Sequence, residues 1–173
     1  MIQDLIRKNL REIADFPSKG VSYKDITPLL ENPLIFKEII NEFCKVITPL
    51  KPDVIVGIES RGFIFAAPIA IELGIPMSLA RKPGKLPYKT ITTNYDLEYG
   101  SDGLEMHVDS IKDKDKVLIM DDILATGGTA KATCDLVKQL KGNIVGITFL
   151  IELSALKGKK KLEPNHIISL FKA

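Results

Sequence analysis

Apolar residues recur along this chain with two different periods, and the alternation between them predicts the order of its elements. At the N-terminus Ile2, Leu5, Ile6, Leu10 and Ile13 fall at helical intervals, which predicts an amphipathic helix stopping near "DFPSKG". "PLIFKEIINEFCKVI" predicts a second helix: Pro33 suits a first turn, and Phe36, Ile39, Ile40, Phe43 and Ile47 form one face. "DVIVGI" is short, β-branched and followed by the polar "ESRG", so it reads as a buried strand. "FIFAAPIAIEL" then reads as a helix and "IPMSLAR" as a strand. The order returns as a strand over 117–120, a helix "GTAKATCDLVKQLK" stopped by Gly142, a strand "NIVGITFLI" and a last strand "HIISLF". Strands that are apolar throughout are buried on both faces, which predicts an α/β domain with a parallel sheet flanked by helices. Between residues 82 and 110 the pattern becomes polar and rich in Thr and Tyr, predicting a β-hairpin excursion of the kind that serves as a functional loop.

Composition narrows the function classes. The 173 residues are 45% hydrophobic and 27% charged, which suits one domain with a buried core, and no repeat or Pro/Ser linker divides them. A net charge of +2 offers no whole-molecule field toward nucleic acid or an acidic membrane, so basic chemistry must be local. "FIFAAPIAIELGIPMSLA" is interrupted by Pro68, Glu72, Gly74 and Pro76, whereas a bilayer span needs roughly 20 mostly apolar residues. The charged "MIQDLIRKNLREIADF" does not read as a secretory leader. Cys44 and Cys134 lie among apolar neighbours without metal-ligand spacing, predicting buried free thiols in a reducing, cytoplasmic compartment.

The chemistry concentrates in three polar turns at the carboxyl ends of strands, where open α/β sheets bind ligands. In "VLIMDDILATGGT", residues 117–129, a buried strand ends on two adjacent carboxylates, Asp121 and Asp122. Gly127 and Gly128 follow, able to take positive φ and admit an anion to the backbone at a helix start. Thr126 and Thr129 add hydroxyl donors, and the carboxylates suit vicinal hydroxyls, so a ribose 5-phosphate meets both halves. The bland reading of "TGGT" is an N-capped helix after a flexible turn. "GIESRGF" at 57–63 nearly fits a P-loop, but Phe63 stands where the lysine is required, which argues against nucleoside triphosphate. Arg61 there remains a fork donor for an anion. "ARKPGKLP" places Arg81, Lys82 and Lys85 in a proline-stiffened turn whose charge a diphosphate would neutralise, while "KGKKKL" at 157–162 reads as a solvated connection. His107 and His166 are isolated in sequence, without zinc or serine-triad spacing.

These segments resemble a known family. "VLIMDDILATGGT" is similar to the phosphoribosyl pyrophosphate motif of type I phosphoribosyltransferases. "DFPSKGVSYKDITPLL", "ESRGFIFAAPIA", "RKPGKLP", "YDLEYGSDGLEMH" and "FLIELSALKG" resemble its adenine-specific branch in order and spacing over nearly the whole chain. The resemblance implies purine salvage: transfer of the 5-phosphoribosyl group from 5-phospho-α-D-ribose 1-diphosphate to N9 of adenine, giving AMP and diphosphate with Mg2+ held mainly by substrate. It implies a single domain over 1–173, with an N-terminal hood over about 1–32, a core over about 33–173 and a mobile catalytic loop over about 88–108. It also implies a homodimer, with no nucleic-acid or membrane partner.

Carried over onto this sequence, Ala125, Thr126, Gly127, Gly128 and Thr129 would hold the 5-phosphate, and Asp121 and Asp122 would face the ribose and its developing charge. Ser60, Arg61, Arg81, Lys82 and Lys85 would meet the diphosphate, and the Glu59–Ser60 peptide would be cis. Glu98 would act as general acid/base for the adenine ring and Tyr99 would shield the site. Tyr23 would stack on the base, Ser22 and Lys24 would read its edge through backbone groups, and Leu153 would close the other face. Three positions depart from the family's pattern: Tyr23 where phenylalanine is usual, Lys24 where arginine is usual, and Ala66 where glycine is common. The first keeps a stacking face, the second keeps charge, and the third adds a methyl near a close-packed turn. Two other functions fit the same residues, namely a phosphoribosyltransferase for xanthine, hypoxanthine or uracil, and a non-catalytic regulator that senses phosphoribosyl pyrophosphate. The regulator needs a broad basic face or an added module, for which 173 residues at +2 leave little room.

Overall fold

The computed structural model describes residues 1–97 and 100–173. In chain order the elements are α1 (Ile2–Asn9), β1 (Arg11–Ala14), β2 (Ser22–Asp25), α2 (Thr27–Glu31), α3 (Pro33–Ile47), β3 (Val54–Ile58), α4 (Gly62–Leu73) and β4 (Met77–Ala80). They continue as β5 (Thr90–Leu97), β6 (Gly100–His107), β7 (Lys116–Leu124), α5 (Gly128–Gln139), β8 (Asn143–Glu152) and β9 (Ile167–Lys172). The sheet is five-stranded, in the order β4-β3-β7-β8-β9, and every neighbouring pair is parallel.

Strand periodicity sorts the core into two layers. Ile55, Leu118 and Met120 point to the side covered by α3 and α4, where they join Ile39, Phe43, Phe65 and Ile69. Their neighbours Val54, Val56, Val117 and Ile119 point the other way, to Leu136 and Val137 of α5 and to Leu104 and Met106 of β6. Successive side chains of a strand face opposite ways, so a strand covered on both sides must be apolar at every position. The hairpin of β5 and β6 is antiparallel, in register from Thr90 against His107 to Leu97 against Gly100, and β6 anchors it in the second layer.

Several boundaries differ from those the periodicity predicts. The first helix stops at Asn9, and Ile13 lies exposed in β1, which pairs with β2 in a separate antiparallel ladder. A spacing of three or four does not by itself distinguish one more helical turn from a short strand. The short helix α2 went unpredicted, although Asp25 Oδ1 accepts from Thr27 N at 2.9 Å and Pro28 sits in its first turn. α3 has the predicted span, capped by Asn32 through Leu34 N and Ile35 N, and Ile35 takes the fully buried place that Phe36 only partly fills. Lys141, at φ 62°, ends the turn after α5 in the left-handed region. Gly142 serves packing instead, since a Cβ there would lie 2.8 Å from Val117 Cγ2 and 2.9 Å from Val137 Cγ1. Cys134 is buried and Cys44 half-buried, both as free thiols. Among the described residues no helix is long and apolar enough to cross a membrane.

Candidate active site

The largest departure from the predicted elements falls at the centre of the site. β7 runs on to Leu124, so Asp121 and Asp122 belong to the strand itself, registered beside β8 with Asp121 against Phe149. Asp122 is only 4% exposed. Successive strand residues face opposite sides, and Asp121 Oδ1 turns back to accept the backbone N–H of Asp122 at 2.9 Å. Burial, reinforced by the Asp122 charge, pushes the Asp121 carboxyl well above the usual aspartate range. Burial also raises Asp122, against the opposing pull of Arg61. Asp122 is thus buried within the strand and Asp121 half-buried beside it, so the two do not form a solvated strand tip.

The glycine turn follows after Leu124. Gly127 takes φ 80° and Gly128 begins α5, so one glycine rather than two uses the left-handed region. No side chain caps this helix and no acidic residue lies in its first turn, which removes the bland reading of an ordinary N-capped helix and leaves the first N–H groups and the positive dipole end to a ligand. A hollow here is lined by Asp121, Ala125, Thr126, Gly127, Gly128 and Thr129. Beside it a wider cleft of about 340 Å³ is bounded by Glu59, Ser60, Arg61, Asp121, Asp122 and Thr129. Two of the three turns singled out in the sequence thus converge on one opening.

β3 and the start of α4 carry the second turn, and tight backbone packing holds it against β7. A Cβ on Gly62 would meet the Met120 carbonyl oxygen at 2.7 Å and Asp121 Oδ1 at 3.1 Å, so only glycine lets α4 begin there. Ala66 is fully buried, and its methyl lies 3.0 Å from where a Cβ on Gly57 would stand, so Gly57 makes the room that the extra methyl needs. The Glu59–Ser60 peptide is cis, as the resemblance implied. Arg61 Nε lies 2.8 Å from Asp122 Oδ2, and its NH1 donates to the Tyr23 hydroxyl at 2.6 Å.

Glu59, which the sequence reading passed over, ties the second turn to the third. Its carboxylate accepts from Lys82 N at 2.8 Å and Arg81 Nε at 3.3 Å, and it also pairs with Lys85 Nζ. Burial works to raise this carboxyl, but Lys85, Lys82 N–H and Arg81 outweigh it and hold it below the usual glutamate range. Arg81 and Lys85 are therefore already engaged with an anionic group. Glu105 on β6, 5% exposed, fixes the same turn by accepting from Lys85 N at 3.1 Å and Leu86 N at 3.0 Å. An acid beside a predicted cationic site was the available signal for Glu59. Glu59→Gln should lower stability by about 1–2 kcal/mol at pH 7, the scale of a charge-assisted hydrogen bond. The folded-state carboxyl titrates below its unfolded value, so its contribution is present above about pH 4.3 and is lost as pH falls through the lowered value. Denaturant titrations at pH 7 and pH 3 should show the gap to wild type closing; a gap that persists at pH 3 would assign the effect to shape rather than charge.

Next to Arg61, β2 presents Ser22, Tyr23 and Lys24. Ser22 Oγ and Lys24 Nζ share one face with Glu12, at 3.5 and 2.6 Å, while Tyr23 takes the opposite face, with Phe16 edge-on at 5.1 Å. The backbone groups of Ser22 and Lys24 point the same way, as residues two apart in a strand must. Leu153 donates its N–H to the Leu124 carbonyl at 2.9 Å, which sets it at the end of β7. Glu98 and Tyr99 lie outside the described residues. "KGKKKL" is more than a solvated connection: Leu162 is buried, and buried Gly158 packs on the Ala125–Gly127 backbone. Among the described residues no three His, Cys, Asp or Glu side chains form a metal-binding group.

A family model described as phosphoribosyl transferase domain matches residues 25–172. The chain is 54% identical over 167 residues to an adenine phosphoribosyltransferase of Christiangramia forsetii, covering 96% of this chain and 98% of the relative. It is 50% identical over 164 residues to one of Cytophaga hutchinsonii, covering 95% and 91%. The crystal structure of adenine phosphoribosyltransferase from Thermoanaerobacter pseudethanolicus superposes with a TM-score of 0.96 at 46% identity, over 100% of both chains. That from Saccharomyces cerevisiae, complexed with D-2,5-dideoxy-2,5-imino-altritol 1,6-bisphosphate and adenine, gives 0.93 at 38% identity over 98% of both.

Proposed function

The chain belongs to the phosphoribosyltransferase family, and from that premise we propose that it is an adenine phosphoribosyltransferase of purine salvage. It moves the phosphoribosyl group from 5-phospho-α-D-ribose 1-diphosphate to N9 of adenine and releases AMP and diphosphate. The observation that carries the reading is the passage of β7 from half-buried Asp121 and buried Asp122 to an uncapped helix start. A 5-phosphate fits the N–H groups of residues 125–129, and the ribose hydroxyls then face Asp121 and Asp122. As the bond from C1 to diphosphate breaks and the bond to N9 forms, positive charge grows on the sugar, and fixed negative charge in a desolvated site stabilises it. Arg61 meets the departing diphosphate, supported by Ser60 and by the turn of Arg81, Lys82 and Lys85. For Arg81 and Lys85 this requires the diphosphate to share or displace Glu59.

Tyr23 supplies a stacking face for adenine, Ser22 and Lys24 supply backbone donors and acceptors, and Leu153 closes the opposite side. Glu98 takes the N9 proton and Tyr99 shields the site. Mg2+ would be held mainly by the donor's own oxygens, with Asp121 and Asp122 the nearest acidic side chains of the cleft, and would supply neutralisation of charge on the leaving diphosphate. In this reading residues 1–32 act as the hood of a single domain and residues 88–108 as its catalytic loop. A cytoplasmic homodimer fits this reading, since Ile64, Ile71 and Leu79 leave apolar surface on α4 and the edge strand β4. Incubation with adenine, donor and Mg2+ should release diphosphate and AMP in equal amounts. Reaction with hypoxanthine or xanthine but not adenine would overturn the base assignment.

A further inference from the structure

Arg61 lines the cleft and touches both Asp122 of β7 and Tyr23 of β2. Its Nε faces Asp122 at 2.8 Å, and its NH1 donates to the Tyr23 hydroxyl at 2.6 Å. The guanidinium carbon is 5.6 Å from the Tyr23 ring centroid, near the outer limit of about 6 Å for a cation over a ring. The hydroxyl, more than the ring face, therefore holds the guanidinium. Tyr23 is itself steadied by Phe16, at 75° to its ring plane. A guanidinium carries five N–H donors; NH1 gives one to the Tyr23 hydroxyl, while Nε is ion-paired with Asp122 without a hydrogen bond to Oδ2, leaving donors for an anion.

We propose that the Tyr23 hydroxyl is a positioning group for Arg61, and that through it occupancy of the base subsite raises affinity for the phosphorylated sugar donor. The proposal rests on the functional reading above. An arginine already held in place loses less rotamer freedom when it meets a diphosphate, and that saving appears as donor affinity. A base stacked on the Tyr23 ring restricts the ring's rotation, so the hydroxyl holds Arg61 more firmly. Because the coupling is a free energy shared by two sites, the donor must tighten base binding by the same factor.

A double-mutant cycle on donor binding tests this. Calorimetric titration of the Mg2+ complex of the donor, without base, into the full-length wild type, Tyr23→Phe, Arg61→Ala and the double variant reads the hydroxyl's effect with and without its partner. Tyr23→Phe should weaken donor binding about fivefold when Arg61 is present, the scale of one hydrogen bond, and change nothing when Arg61 is absent. If Arg61→Ala does not fold, Arg61→Lys serves as the background, since it keeps charge without the fork. Saturating 9-deazaadenine, whose ring position 9 is carbon, should tighten donor binding to the wild type and do so less in Tyr23→Phe. Equal weakening in both backgrounds, no weakening in either, or undiminished coupling in Tyr23→Phe overturns the proposal. Failure of the functional reading shows separately, as a wild type that binds the donor but forms no AMP from adenine; the cycle still decides the role of the hydroxyl.

Discussion

Asp122→Asn is expected to lower kcat/KM by about 10²–10³ while leaving the fold as stable as wild type or more so, the loss typical of one preorganised electrostatic contact to a transition state. Asn keeps the shape of the side chain in β7 and removes its charge. At 4% exposure that charge is desolvated, and it lies beside a second carboxyl that accepts from its own backbone N–H. Both carboxyls titrate above their unfolded values, so between the two values the native state binds more protons than the unfolded chain. Stability contributed by the pair is then fully present below about pH 4 and is lost as pH rises through the raised values. Removing Asp122 relieves this loss, so the stability of the variant relative to wild type should grow from pH 4 upward. The opposing cost is small, because Arg61 is 35% exposed and keeps its bond to Tyr23. Steady-state kinetics and thermal melts over pH 4–8 decide the matter. Unchanged kinetics with a large loss of melting temperature would make Asp122 a structural residue.

That prediction shows where the sequence was legible. "VLIMDDILATGGT" carries its candidate chemistry in consecutive residues, so the adjacent carboxylates and the glycine turn at a helix start could be read without tertiary information. Strand burial was legible because Val54, Ile55 and Val56, like Val117, Leu118 and Ile119, are apolar without a gap, and the two core layers take alternate members of each run. The end of β7 was not legible: ladder pairing with β8 carries the strand past two charged residues that local pattern assigns to a turn. Contacts between separate turns were also invisible. The Glu59 carboxylate gathers donors from a turn more than twenty residues away, and Tyr23 meets Arg61 across thirty-eight positions. Such pairings depend on how β3 and the β1–β2 ladder sit over one opening, which no window of sequence contains.

Gly158 is the sharpest case of a residue whose role lies wholly in such a contact. In "KGKKKL" it reads as a spacer, yet its replacement by alanine should raise the donor's KM about 100-fold, the scale of one or two lost hydrogen bonds to a charged group. A Cβ there would stand 2.1 Å from the Ala125 carbonyl oxygen and 2.9 Å from Gly127 N, both backbone atoms of the turn proposed to hold the 5-phosphate. No rotamer change relieves a clash with backbone, so the turn itself must move. The reverse face of the contact is equally tight, since a Cβ on Gly127 would lie 2.6 Å from the Gly158 carbonyl oxygen. Gly158 is not among the positive-φ glycines, so alanine meets no conformational strain there and the effect is steric alone. Gly74→Ala provides the contrast. Gly74 caps α4 at φ 66° with nothing within 4 Å of its Cβ position, so the change should cost about 1 kcal/mol of stability and leave the donor's KM unaltered. If Gly158→Ala keeps the donor's KM within about twofold of wild type, the 5-phosphate turn does not depend on this contact. A rise shared equally by Gly74→Ala would trace instead to general loosening of the fold, because only Gly158 touches the atoms that would hold the phosphate.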